Sequence, residues 1–97
     1  MASKLFLVLK SPGEWGGLDL LESLADDDSA VVLLNDAVLF ALKEAEVGRL
    51  KELCVDVYAM KDDLQGRGIG PAYGVKEIDY PRLVELIMED YQQTITV

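Results

Sequence analysis

Cys54 is the side chain in this 97-residue sequence best suited to nucleophilic chemistry, because it is the single cysteine and there is no histidine. A reactive thiol needs solvent access and a pKa lowered by a helix N-terminus or a nearby cation. Cys54 instead opens the predicted strand Cys54-Val55-Asp56-Val57-Tyr58-Ala59, at the end away from the loops that follow the strands. In open parallel sheets, ligand sites collect at the carboxyl ends of strands. A buried or half-buried structural cysteine is the favoured reading, with a reactive Cys54 as its alternative. One cysteine excludes an internal disulfide and a Cys-rich zinc site. The lack of histidine removes the usual general base, the usual metal ligand and every Ser-His or Cys-His pair.

The remaining candidates gather after the second and third predicted strands. Asn35 and Asp36 supply the oxygens of a helix N-cap, which explains them without a binding role. Lys61, Asp62, Asp63 and Arg67 follow the third strand, and the four-residue spacing lets Arg67 pair with Asp63 one helical turn away. Surface pairing is the simpler reading; the alternative is a partner-binding rim of Asn35, Asp36, Asp63 and Arg67. Gly66-Arg67-Gly68-Ile69-Gly70 leads through Pro71 towards a strand, whereas a dinucleotide fingerprint follows the first strand and opens a long helix; it reads as a turn. Asp26-Asp27-Asp28 lacks the alternating ligands and glycine of a calcium loop and reads as a solvated helix end. Trp15, beside Gly16-Gly17, is a packing anchor or an interface residue.

These residues are positioned by alternating strands and helices. Leu5-Phe6-Leu7-Val8-Leu9 and Ala30-Val31-Val32-Leu33-Leu34 are short apolar runs expected to be strands buried on both faces. Strands are predicted near residues 4–9, 30–34, 54–59 and 75–78. Leu18, Leu21, Leu24 and Ala25 recur at helical spacing; a second helix is predicted from about Ala37 to Ala45, broken near Gly48, and a short third over residues 61–65. Asp79-Tyr80-Pro81 starts a last helix to about residue 92 with Leu83, Val84, Ile87, Met88 and Tyr91 as its buried stripe. Thr94-Ile95-Thr96-Val97 is β-prone, suited to an edge strand or one shared with a partner. The expected fold is α/β: a three-layer α/β/α domain over residues 1–97, with a mainly parallel sheet of four or five strands.

Composition narrows the function classes. Nine Lys and Arg stand against eighteen Asp and Glu, a net charge of −9. A broad phosphate-binding surface would form against the chain's own field, so no direct nucleic-acid partner is expected. No run approaches the roughly 20 apolar residues of a membrane span, and Met1-Ala2-Ser3-Lys4 leads into a strand without a signal-peptide pattern, so a cytoplasmic protein is expected. A 51% hydrophobic content suits one small core, which a partner would help to stabilise.

Four blocks together carry a family resemblance: Leu9-Lys10-Ser11-Pro12, Leu33-Leu34-Asn35-Asp36-Ala37-Val38, the run from Val57 to Gly68, and Ile78-Asp79-Tyr80. In order and spacing the chain resembles the DsrH/TusB family of sulfur-relay proteins, within the DsrE/DsrF/DsrH-like superfamily. The resemblance implies the same three-layer fold, assembly with DsrE/DsrF-like (TusD/TusC-like) subunits, and sulfur passed as a cysteine persulfide towards 2-thiouridine at the tRNA wobble position. Some members carry a cysteine on the first helix, at a place that aligns near Leu21, and often Asp-Gly where this chain has Asp36-Ala37. With Leu21 there, the resemblance implies a structural subunit, a homo- or hetero-oligomer without cofactor or metal. A thiol sulfurtransferase using Cys54, or a subunit of a dissimilatory sulfur-oxidation relay, are the alternatives. An isolated subunit of this kind is expected to self-associate through exposed apolar surface.

Overall fold

The computed structural model describes residues 3–26, 28–53, 56–70 and 73–97. Apolar runs at residues 4–8 and 30–33 form β1 (Lys4–Val8) and β2 (Ala30–Leu33), joined through α1 (Leu18–Leu24). A 3₁₀ segment (Asn35–Leu42) and α2 (Glu44–Leu53) lead to β3 (Asp56–Met60), and α3 (Lys61–Gly66) leads to β4 (Lys76–Ile78). α4 (Tyr80–Glu85) runs into a π turn (Leu86–Asp90) and then β5 (Gln93–Thr96). Among the described residues all four strand pairings are parallel, in the order β4-β3-β2-β1-β5. The expected three-layer α/β fold is thus observed, and the β-prone segment after residue 93 joins the chain's own sheet beside β1.

Chain direction sets the layers. The crossovers from β1 to β4 step the same way along the sheet and, being right-handed, place their helices on one face; the return from β4 to β5 places α4 on the other. The first face is the larger core: Phe6, Val8, Val31, Leu33, Val57 and Ala59 from the strands meet Leu21, Phe40, Val47, Leu50 and Leu64. Trp15 is its anchor, edge-on to Phe40 at 5.6 Å between ring centroids, with its indole N–H donating to the Val97 carbonyl at 3.2 Å. On the opposite face Leu5, Ala30, Val32, Tyr58, Met60 and Ile78 meet the buried Leu83 and Leu86, with Leu7, Leu34, Ile87 and Tyr91 partly buried against them.

Three helical expectations are corrected. The segment predicted as a helix over 37–45 is a 3₁₀ turn series to Leu42. Its buried residues, Ala37 with Phe40 and Val38 with Ala41, lie three apart, which at three residues per turn stacks them on one face. Gly48 does not break the chain but lies inside α2. A helical glycine costs about 1 kcal/mol relative to alanine, whereas burying a Val or Leu contributes about 1.5–3 kcal/mol, and Val47 and Leu50 are both buried. In the last helix, capped as expected by the Asp79 carboxylate accepting the Arg82 N–H at 3.0 Å, the buried positions are Leu83 and Leu86, while Val84 and Met88 face outwards. A single helix over one sheet face needs a narrower stripe than the sequence offers. The π turn, closed by the Tyr91 N–H donating to the Leu86 carbonyl at 3.0 Å, turns Tyr91 back towards the sheet.

A Cβ at Gly48 would meet nothing within 4 Å. Gly48→Ala is therefore expected to stabilise the protein by about 0.5–1 kcal/mol, read as a raised urea midpoint; a lowered midpoint would contradict a continuous α2.

Candidate functional site

The loops after β2 and β3 bring Asn35, Asp36, Asp63 and Arg67 into one hydrogen-bonded cluster at the carboxyl rim of the sheet. Asn35 follows β2 with a left-handed backbone, φ 52°, a region that asparagine enters more readily than most residues. Its N–H donates to the Asp63 carboxylate at 2.8 Å. Asp63 lies in the first turn of α3, so this bond ties the exit of β2 to the exit of β3. One position on, the Asp36 carboxylate accepts from the Arg67 guanidinium at 2.5 Å.

This geometry revises the pairing read from spacing. Arg67 meets Asp63 only at its backbone carbonyl, 3.4 Å away, and its ion pair is with Asp36. The helix-cap reading of Asn35 and Asp36 also gives way: Leu34 stands at the cap, with no side-chain cap bond, and both residues are bound across the rim. The positive φ falls at Asn35, and Ala37 is buried. Of the rim's charges Arg67 pairs with Asp36 while Asp63 is held by a backbone N–H, an arrangement suited to recognition by shape and charge.

The other expected positions lie elsewhere. Cys54, Asp27 and Pro71 fall outside the described residues. Leu21 is fully buried in the larger core. Asp26 is part of an ordered turn, accepting the Asp28 N–H at 3.0 Å and the Ser29 hydroxyl at 3.1 Å, with Lys4 at 3.6 Å. The Asp28 N–H, and less strongly Ser29 and Lys4, hold the Asp26 carboxyl below the usual carboxylate range.

A second feature opens near the other ends of the strands, on the α4 face. Tyr58, Arg82, Asp90 and Tyr91 line an open cleft of about 390 Å³ together with Ser3, Asp28 and Leu86. Arg82 binds Asp90 at 2.9 Å, and Lys76 binds Asp56 at 2.7 Å while its ammonium lies 5.8 Å from the centre of the Tyr58 ring. Burial, with the Asp56 charge beside it, raises the Tyr58 phenol. Burial again, reinforced by Tyr58, Asp56 and Asp90, pushes Tyr91 up to about 12. The sequence carried one signal of the cleft, since Asp56 and Tyr58 alternate with apolar residues and so share a sheet face. The π turn that adds Asp90 and Tyr91 left no such mark.

Two expectations follow. Asn35→Gly is expected to leave stability within about 0.5 kcal/mol of the parent, whereas Asn35→Val should lose roughly 1–2 kcal/mol because a side chain branched at Cβ fits the left-handed region poorly; chemical denaturation checks both. Tyr91 keeps its proton in the folded protein while an unfolded chain loses it near the ordinary value of 10.0. Its contribution is therefore fully present below that value and lost as pH rises towards about 12. Ultraviolet titration should show a late phenol that Tyr91→Phe removes.

Comparison with known proteins places this architecture in a family. A family model described as DsrH like protein matches residues 10–93, which takes in the rim, the cleft-forming π turn and nearly all of the four sequence blocks. The chain is similar to Protein TusB of Buchnera aphidicola subsp. Baizongia pistaciae (strain Bp), with 31% identity over 91 residues, covering 92% of this chain and 96% of the relative. It is also similar to Protein TusB of Pectobacterium parmentieri, with 35% identity over 79 residues, covering 78% of this chain and 83% of the relative. With the matched span running from just after β1 to the first residue of β5, the chain belongs to the DsrH/TusB family of sulfur-relay proteins.

Proposed function

We propose that this chain is a non-catalytic subunit of a sulfur-relay complex that supports 2-thiolation of the tRNA wobble uridine, in the cytoplasm, and that it docks DsrE/DsrF-like (TusD/TusC-like) subunits through the rim of Asn35, Asp36, Asp63 and Arg67. The observation that carries the reading is the fully buried Leu21 on α1. Where some members of the family hold a cysteine, this chain has a core side chain that cannot bind sulfur. The excess of acid, nine positive against eighteen negative residues, supports a role on protein partners more than on tRNA itself. The rim supports docking because its two interstrand bonds fix the loops after β2 and β3 relative to each other, which preorganises a recognition surface.

Deleting the gene is expected to lower wobble 2-thiouridine in digested tRNA measured by mass spectrometry, in a strain without a paralogue. Unchanged thiolation would reject the tRNA assignment in favour of sulfur oxidation or another relay. Within the complex, Arg67→Glu places a third carboxylate beside Asp36 and Asp63 and should weaken assembly by about tenfold or more. Asp27→Lys, a charge reversal of equal size and opposite sign in the acidic run, should leave assembly near the parent value.

A further inference from the structure

The sheet is wholly parallel, yet part of one face lies bare. Parallel sheets are almost always covered on both sides. Here the larger core covers one side, while α4 and the π turn cover the other from β4 as far as Leu5 of β1. On β5, Ile95 pairs with Phe6 and packs into the larger core. Thr94 and Thr96 pair with Leu5 and Leu7 and so face the α4 side, where both are exposed. Leu7 and Ile87 are only half-buried against the smaller core.

The helix on this face also presents apolar side chains to solvent. Tyr80, Val84 and Met88 lie four apart, on one flank of α4 and its π turn, and are 55%, 55% and 75% exposed. An apolar residue exposed singly needs no explanation; three in a helical row form a surface, and Ile87, next to Met88 on the helix, packs with Leu7 against the smaller core. The segment that carries it is mainly acidic. Between residues 79 and 90 there are Asp79, Glu85, Glu89 and Asp90 against Arg82 alone, and that guanidinium is held by Asp90.

We propose that this flank, with Val84 and Met88 at its centre and Leu7, Ile87, Thr94 and Thr96 beside them, docks a different polypeptide presenting an apolar patch edged by lysine and arginine. Contrary to the self-association expected from the sequence, a second copy of this chain is the poorer occupant of this face, because it would stack like carboxylates against Glu85 and Glu89 across the contact. The proposal rests on the relay-subunit reading and adds to the rim a second docking surface of defined chemistry.

The test purifies the full chain alone and with the TusC-like and TusD-like subunits of its own organism. Amide exchange over residues 84–88 and 94–96 should slow on assembly, and Met88→Lys should lower affinity by roughly tenfold or more. Salt should weaken binding as it screens the carboxylates around the patch. Met88 is exposed, so this variant is expected to fold; Val84→Lys, checked by circular dichroism, is the second variant. A complex in which those segments exchange at the free rate and both variants bind normally would overturn the surface while leaving the relay reading intact. Failure of the three chains to associate would overturn both together. A homodimer of the isolated chain that Met88→Lys dissolves would also overturn the proposal, by assigning the face to a second copy.

Discussion

The parallel pairing of β5 with β1, on the side opposite β2, is the constraint from which the remaining architecture follows. It sends the final crossover back along the sheet, and right-handedness then puts α4 on a face of its own. Because β1 becomes an interior strand, Leu5 and Phe6 are both fully buried, one in each core. Because one short helix must serve a whole face, the smaller core is thin and gives way to a cleft at one end and exposed apolar side chains on one flank. Stability and recognition are thus divided between the two faces.

The rim belongs to the thicker side and depends on a different economy of bonds. β2 and β3 are neighbours, so their exit loops lie together, and two contacts distant in sequence join them: the Asn35 N–H to Asp63, and Asp36 to Arg67. Exposed ion pairs contribute little on average, about 0–1 kcal/mol. Their value here is geometric, since a left-handed Asn35 held by Asp63 fixes where Asp36 points.

Much of this was legible in the sequence because apolar runs flanked by turn residues report buried parallel strands directly. The runs Leu5 to Leu9 and Ala30 to Leu34 read as strands, and the strands are Lys4–Val8 and Ala30–Leu33; Asp79 with Pro81 marks the start of α4. The rim residues could be nominated because they follow predicted strands, yet their partners could not, since spacing along a helix offered Asp63 to Arg67 when Asp36 was closer in space. The 3₁₀ segment and the π turn were missed for a related reason: Ala37, Phe40, Leu83 and Leu86 are spaced by what they pack against, and a pattern read at 3.6 residues per turn assigns Val84 and Met88 to the core. Gly48 looked like a stop only because local propensity was weighed without Val47 and Leu50.

The central claim is that this chain supports a relay without handling the sulfur, and Cys54 provides its most direct test. The complex should be assembled with Cys54→Ser in this subunit alone, with folding and stoichiometry verified, and sulfur delivery to tRNA measured with labelled cysteine as donor. The account predicts delivery equal to that of the parent complex. Loss of delivery from a folded, fully assembled complex would contradict it and make Cys54 the carrier.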